Sequence, residues 1–148
     1  MRQRAWPTGR AYPLSPKPYT LFLMPFLLKT EPTKYSFDDL LRDGETTWDG
    51  ISNPQALQYL RNMKKGEKLV IYHSNIGKAA VGTAKVVSVD ASDPKNPQVR
   101  IAAGKRLKTE KPLAGLRASA VFKDSLLFRQ FRLSVVPLTD AQYDFLTA

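Results

Sequence analysis

The sequence predicts an α+β domain built on a small mixed or antiparallel, barrel-like sheet, with short helices covering its ends. Three observations lead there. Apolar runs of strand length stand at residues 26–28, 69–72 and 79–89. Capping residues open three or four short helical stretches among them. The two kinds of element do not alternate as regular β-α-β units, so a wholly parallel sheet is not expected. At 148 residues, one domain burying roughly 70% of its unfolded surface is the natural reading.

Residues 1–24 hold four prolines, four cations and no acid, a composition that cannot bury enough apolar surface to order itself. They are expected to form a disordered basic tail, with Met24 a candidate natural start. Pro25 interrupts the apolar run from Tyr19, and no small-x-small cleavage site follows, which argues against a signal peptide. Phe26-Leu27-Leu28 reads as a first buried strand that Pro32 ends. Ser36, with Asp39 three residues on and Gly44 beyond, marks a short capped helix. Asn53 and Pro54 open the next helix, on which Ala56, Leu57, Leu60 and Met63 recur at helical spacing, and Lys64-Lys65-Gly66 closes it.

Leu69 to Tyr72 reads as a central strand, and His73-Ser74-Asn75 with Gly77 as its exit turn. Ala79 to Val89 predicts a second long strand, bent or bulged at Gly82. Residues 92–97 form a Pro-rich turn, and Val99, Ile101 and Ala103 alternate as a strand with one apolar face. Pro112 starts a short helical piece through Leu116. Residues 128–136 read as a last strand, holding Arg132, and Thr139 caps a C-terminal helix.

Composition narrows the chemistry. Without cysteine there are no disulfides, thiolate metal sites or cysteine nucleophile. With a single His, a metal site would need carboxylates, and the acids lack calcium-loop spacing, so neither metal nor cofactor is expected. Phosphate-loop and dinucleotide fingerprints are missing. His73 and Ser74 are neighbours on a strand and point to opposite faces, which disfavours a nucleophile–base pair and a hydrolase. No stretch reaches the roughly 18 apolar residues of a membrane span, and a monomer in the cytoplasm is expected.

The net charge of +10 is uneven: residues 95–117 carry seven cations against Glu110 alone, whereas 25–94 and 118–148 each balance to zero. Lys105, Arg106 and Lys108 are therefore candidate phosphate contacts for a nucleic acid, with Arg132 a further candidate outside that stretch. A solvated lysine-rich hairpin explains the composition equally well. Trp48 beside Gly50 is read either as core filling or as a stacking wall for a planar ligand. Asn53 is a helix cap that could also present its amide to a base edge, and His73 reads first as a satisfied strand end.

These residues also carry a resemblance. Leu27-Leu28-Lys29-Thr30-Glu31-Pro32, Tyr35-Ser36-Phe37-Asp38-Asp39-Leu40, Trp48-Asp49-Gly50, Asn53-Pro54-Gln55-Ala56 and Tyr72-His73-Ser74-Asn75, in that order, resemble the EVE domain family from about Pro25 to the C-terminus. Ser52 stands where relatives often have Arg. The resemblance implies a PUA-like barrel and a non-enzymatic reader that binds nucleic acid carrying a modified base, a modified cytosine flipped into a pocket. It implies pocket positions at Lys29, Thr30, Glu31, Trp48, Asn53, His73 and Ser74. The alternatives are a PUA-type RNA-binding module without modified-base specificity and an enzyme acting on a nucleobase.

Overall fold

A computed structural model of the protein describes residues 23–130 and 132–148. Of the predicted tail, only Leu23 and Met24 fall within them. Six strands, β1 (Phe26–Thr30), β2 (Glu45–Trp48), β3 (Lys68–His73), β4 (Ala79–Asp90), β5 (Gln98–Pro112) and β6 (Val135–Pro137), form one sheet in the order β2-β5-β4-β3-β1-β6. β1 runs parallel to β3, with Leu28 opposite Ile71, and every other pairing is antiparallel. The mixed-sheet expectation therefore holds. β1 reads as an unbroken apolar run because Phe26, Leu27 and Leu28 are all buried between covering layers.

Helices α1 (Phe37–Asp43), α2 (Pro54–Arg61), α3 (Leu113–Ala118), α4 (Leu126–Arg129) and α5 (Asp140–Thr147) cover the sheet. Their starts follow local chemistry. Ser36 Oγ accepts the Asp39 N–H while Asp39 returns a carboxylate oxygen to the Ser36 N–H, as the spacing predicted. Asn53 Oδ1 accepts the Ala56 N–H, and Thr139 and Gln142 form a second capping box. Glu67, nearly inaccessible to solvent, accepts the N–H groups of Lys64 and Met24 at 2.7 and 2.9 Å. Its buried charge is thus held by two backbone donors.

The sheet curls where its ladders slip. Register shifts flank Gly82 on β4, as predicted for that glycine, and others occur at Ile71/Tyr72 and Val86/Ser88. Gly82 is needed for a further reason: the space a Cβ would take there is filled by the ring of Phe37, which is fully buried. The curl is deep enough that Thr30 on β1 and Trp48 on β2, near opposite edges of the strand order, line one cleft.

Three expectations are corrected. β2 was not foreseen, because three of its four residues are polar and its stability comes from pairing with Val99–Ala102 of β5, an edge position that needs no apolar run. The strand predicted over 128–136 is broken. Asp124 turns the chain at φ 61°, Ser125 Oγ accepts the Leu127 N–H to start α4, and only Val135–Pro137 pairs with β1. Arg132 consequently lies in a turn rather than in the last strand. The lysine-rich stretch is not a separate hairpin: β5 runs through it to Pro112, with Leu107 buried and Lys105 and Lys108 exposed.

Candidate functional site

The cleft at the seam of the curled sheet is lined by Thr30, Tyr35, Thr46, Thr47, Trp48 and Asp49, with a volume of about 270 Å³. That lies just under the roughly 300–1,000 Å³ of pockets for drug-sized ligands, and suits one small planar ring. The Tyr35 and Trp48 rings meet edge to face, 6.3 Å apart at 77°. Trp48 is only 8% exposed, so it packs in the core and walls the cleft at once.

Polar groups around the rings are positioned from different elements. Thr30 Oγ1 donates to the Tyr35 carbonyl at 2.6 Å, which ties the end of β1 to the turn before α1. The Tyr35 hydroxyl donates to Asp43 at 2.9 Å. Burial is the main cause that raises the Tyr35 phenol above its ordinary pKa, with the bond to Thr46 opposing it. Arg100 on β5 reaches Glu45 and Thr47, both at 3.2 Å, and so holds the edge strand that carries Trp48. Asp49 stands exposed at the mouth.

A second cleft of about 360 Å³ lies at the same end of β1 and takes Lys29, Tyr72, Ser74, Asn75, Lys78 and Arg117, with Leu113, Leu127 and Phe128 as apolar wall. Lys29 and Thr30 part company because successive strand residues face opposite sides of a sheet. The Ser74 N–H donates to the Thr30 carbonyl at 2.8 Å, which extends the parallel pairing past the end of β3.

The residues expected to share one pocket are thus distributed. Thr30 and Trp48 meet in the first cleft; Lys29 and Ser74 belong to the second. Glu31 pairs loosely with Lys34 at 3.8 Å, and Asn53 is the exposed cap of α2. Lys105 and Lys108 are exposed, while Arg106 bonds Asp38 and lies 5.6 Å from the centre of the Phe37 ring. Sequence reasoning missed Tyr35, Thr46, Thr47 and Asp49. Recognising β2 would have found Thr46, which shares one face of the strand with Trp48 by alternation.

His73 sits at the end of β3, where its Nε2 accepts the N–H of Phe37, the first residue of α1, at 3.0 Å. The ring is therefore a neutral acceptor that fixes the helix to the sheet. Burial lowers its pKa, with Glu110 and Asp38 opposing. The folded state prefers the neutral ring, so this contribution is complete above the ordinary value of about 6.5. It is lost as pH falls through the lower folded value. We expect the melting temperature to decline as pH falls from about 6.5 toward that lower value, and His73→Gln, which keeps an acceptor without titrating, to remove this component. Identical pH profiles of the two chains would contradict the assignment.

Comparisons with known proteins agree with this architecture. The family model described as EVE domain matches residues 25–148. Human thymocyte nuclear protein 1 is 30% identical over 159 aligned positions, covering 81% of this chain and 71% of that protein. Among solved structures, Rpa0253 of Rhodopseudomonas palustris is 33% identical with a TM-score of 0.77, covering 84% of this chain and 90% of that one. The human THYN1 protein, solved in complex with DNA containing 5-methylcytosine, is 30% identical with a TM-score of 0.75, covering 82% and 94%. Matched over almost the whole of its described length by sequence and by fold, the chain belongs to the EVE domain family.

Proposed function

We propose that this chain binds nucleic acid and reads a modified cytosine, extruded from its stack into the Trp48 cleft. The observation that carries this reading is the pairing of an aromatic wall with a carboxylate in a space of one ring: the touching rings of Trp48 and Tyr35 and the exposed Asp49 line the same cleft. Stacking of a base on such a wall contributes about 1–3 kcal/mol. Cytosine presents an N4 amino donor, for which an Asp carboxylate is the fitting acceptor. The complex of the human relative with 5-methylcytosine DNA supports the same ligand class. Binding rather than catalysis is the reading, since the one imidazole is occupied in holding α1.

A single added methyl group is a small handle. Its burial contributes about 0.8 kcal/mol, roughly a fourfold preference, so selectivity of several-fold is expected rather than orders of magnitude. The test compares duplexes with one 5-methylcytosine or one plain cytosine at the same position. Asp49→Ala should weaken both by about tenfold, the loss of one hydrogen bond to a charged acceptor, and leave their ratio near the original. Equal affinity of the unaltered chain for the two duplexes, or binding to RNA that ignores modification, would refute the reader assignment.

A further inference from the structure

We propose that the second cleft, between Lys29, Lys78 and Arg117, is a phosphodiester clamp that grips the nucleic-acid strand beside the extruded nucleotide. This deepens the reading above and rests on it for the polymer alone, not for the modified base. Three cations from three separate elements converge there: the end of β1, the β3–β4 turn and α3. No carboxylate lines this cleft among the described residues. Lys78 and Arg117 are exposed there, and a nucleic acid offers one negative charge at every step for such cations to meet.

The surroundings fit a nucleotide better than a free anion. The Arg117 guanidinium lies 4.8 Å from the centre of the Phe128 ring, and Lys29 Nζ lies 5.9 Å from that of Tyr72. The cations are thereby held against aromatic faces, leaving an apolar flank for a sugar or base. Burial depresses the Lys29 pKa, and Arg117 acts on the Tyr72 hydroxyl in the opposite sense to burial. The turn that delivers Lys78 is preset. Asn75, Gly77 and Lys78 all have positive φ, at 65°, 83° and 40°, a rare conformation for Lys. The Lys78 carbonyl accepts the Leu113 N–H at 2.8 Å, which locks the turn to the start of α3.

Position completes the case. Lys29 and Thr30 are consecutive, so the clamp and the base cleft open on either side of one strand end. A strand crossing that end would meet the clamp next to the nucleotide whose base enters the Trp48 cleft. Cations that contact phosphates position the polymer without reading it.

The experiment uses the full chain with the modified and plain duplexes, titrated across a salt series. Lys78→Gln/Arg117→Gln should flatten the dependence of log affinity on log salt by about 2, the loss of two phosphate contacts. Both duplexes should weaken alike. Both residues are exposed, and the melting temperature is measured beside the affinities to confirm folding. Lys64→Gln/Lys65→Gln removes the same charge elsewhere and should leave the slope near its original value. A clamp variant with an unchanged slope, a control that flattens it equally, or a chain that binds neither duplex would overturn the proposal. Loss of slope without any modified-over-plain preference would keep the clamp and discard the base reader; preference with an unchanged slope would do the reverse.

Discussion

Trp48→Ala should lose stability and selectivity together, and neither loss alone. The side chain is 8% exposed, touches Tyr35 edge to face, and walls the cleft. Truncating a buried tryptophan costs about 3–5 kcal/mol. For a domain of this size that lowers the melting temperature by roughly 10–20 °C. In the cold, where the variant remains folded, the proposed preference for 5-methylcytosine should vanish while salt-dependent binding persists, because the proposed phosphate contacts lie elsewhere. Trp48→Phe keeps a ring and should recover most of the stability with part of the preference. Calorimetry beside both affinities tests this. A Trp48→Ala chain of native stability, or one that is destabilised yet keeps its preference, would show that the ring serves only one of the two roles.

Gly82→Ala should also lower stability, though the change adds one methyl group. The new Cβ would overlap the Phe37 ring, which is inaccessible to solvent and has no open side to move toward. Overpacking a core typically costs about 1–3 kcal/mol and occasionally more. Phe37 is also the first residue of α1, with its N–H on His73, so displacement of the ring disturbs the helix anchor. Combining Gly82→Ala with Phe37→Leu should cost less than the sum of the two, a coupling of about 0.5–3 kcal/mol between residues in contact. Denaturant midpoints of the four chains measure it. Additive losses would mean that the ring and the glycine do not constrain one another.

What could be read from the sequence was local. Ser36 with Asp39, Asn53 with Pro54, and Thr139 announce helix starts because each satisfies backbone donors a few residues away. Phe26-Leu27-Leu28 and Leu69–Tyr72 announce buried strands by their unbroken apolarity. β2 could not be read so, since Glu45-Thr46-Thr47-Trp48 becomes a strand only through a partner more than fifty residues away. The same non-locality hid Tyr35 and Asp49 from the site. Residues 128–136 misled because alternation survives in the letters, whereas the Ser125 cap and the turn at Asp124 bend the chain into α4 first. Within the basic stretch, Arg100 and Arg106 are engaged by Glu45 and Asp38, which pairing across the fold decides and composition cannot show.

The seam that holds the Trp48 cleft has a mechanical meaning. Its two walls belong to β1 and β2, which no ladder of backbone hydrogen bonds joins; the pairing runs the long way round, through β3, β4 and β5. The gap between the walls is therefore set by the bending stiffness of the whole curled sheet, and chiefly by the slips beside Gly82 that soften it. Small changes of width can be shared among several strands instead of being absorbed by one contact. How large a substituent on the ring the protein tolerates is then a spring constant distributed over the fold, and substitutions far from the cleft can retune it.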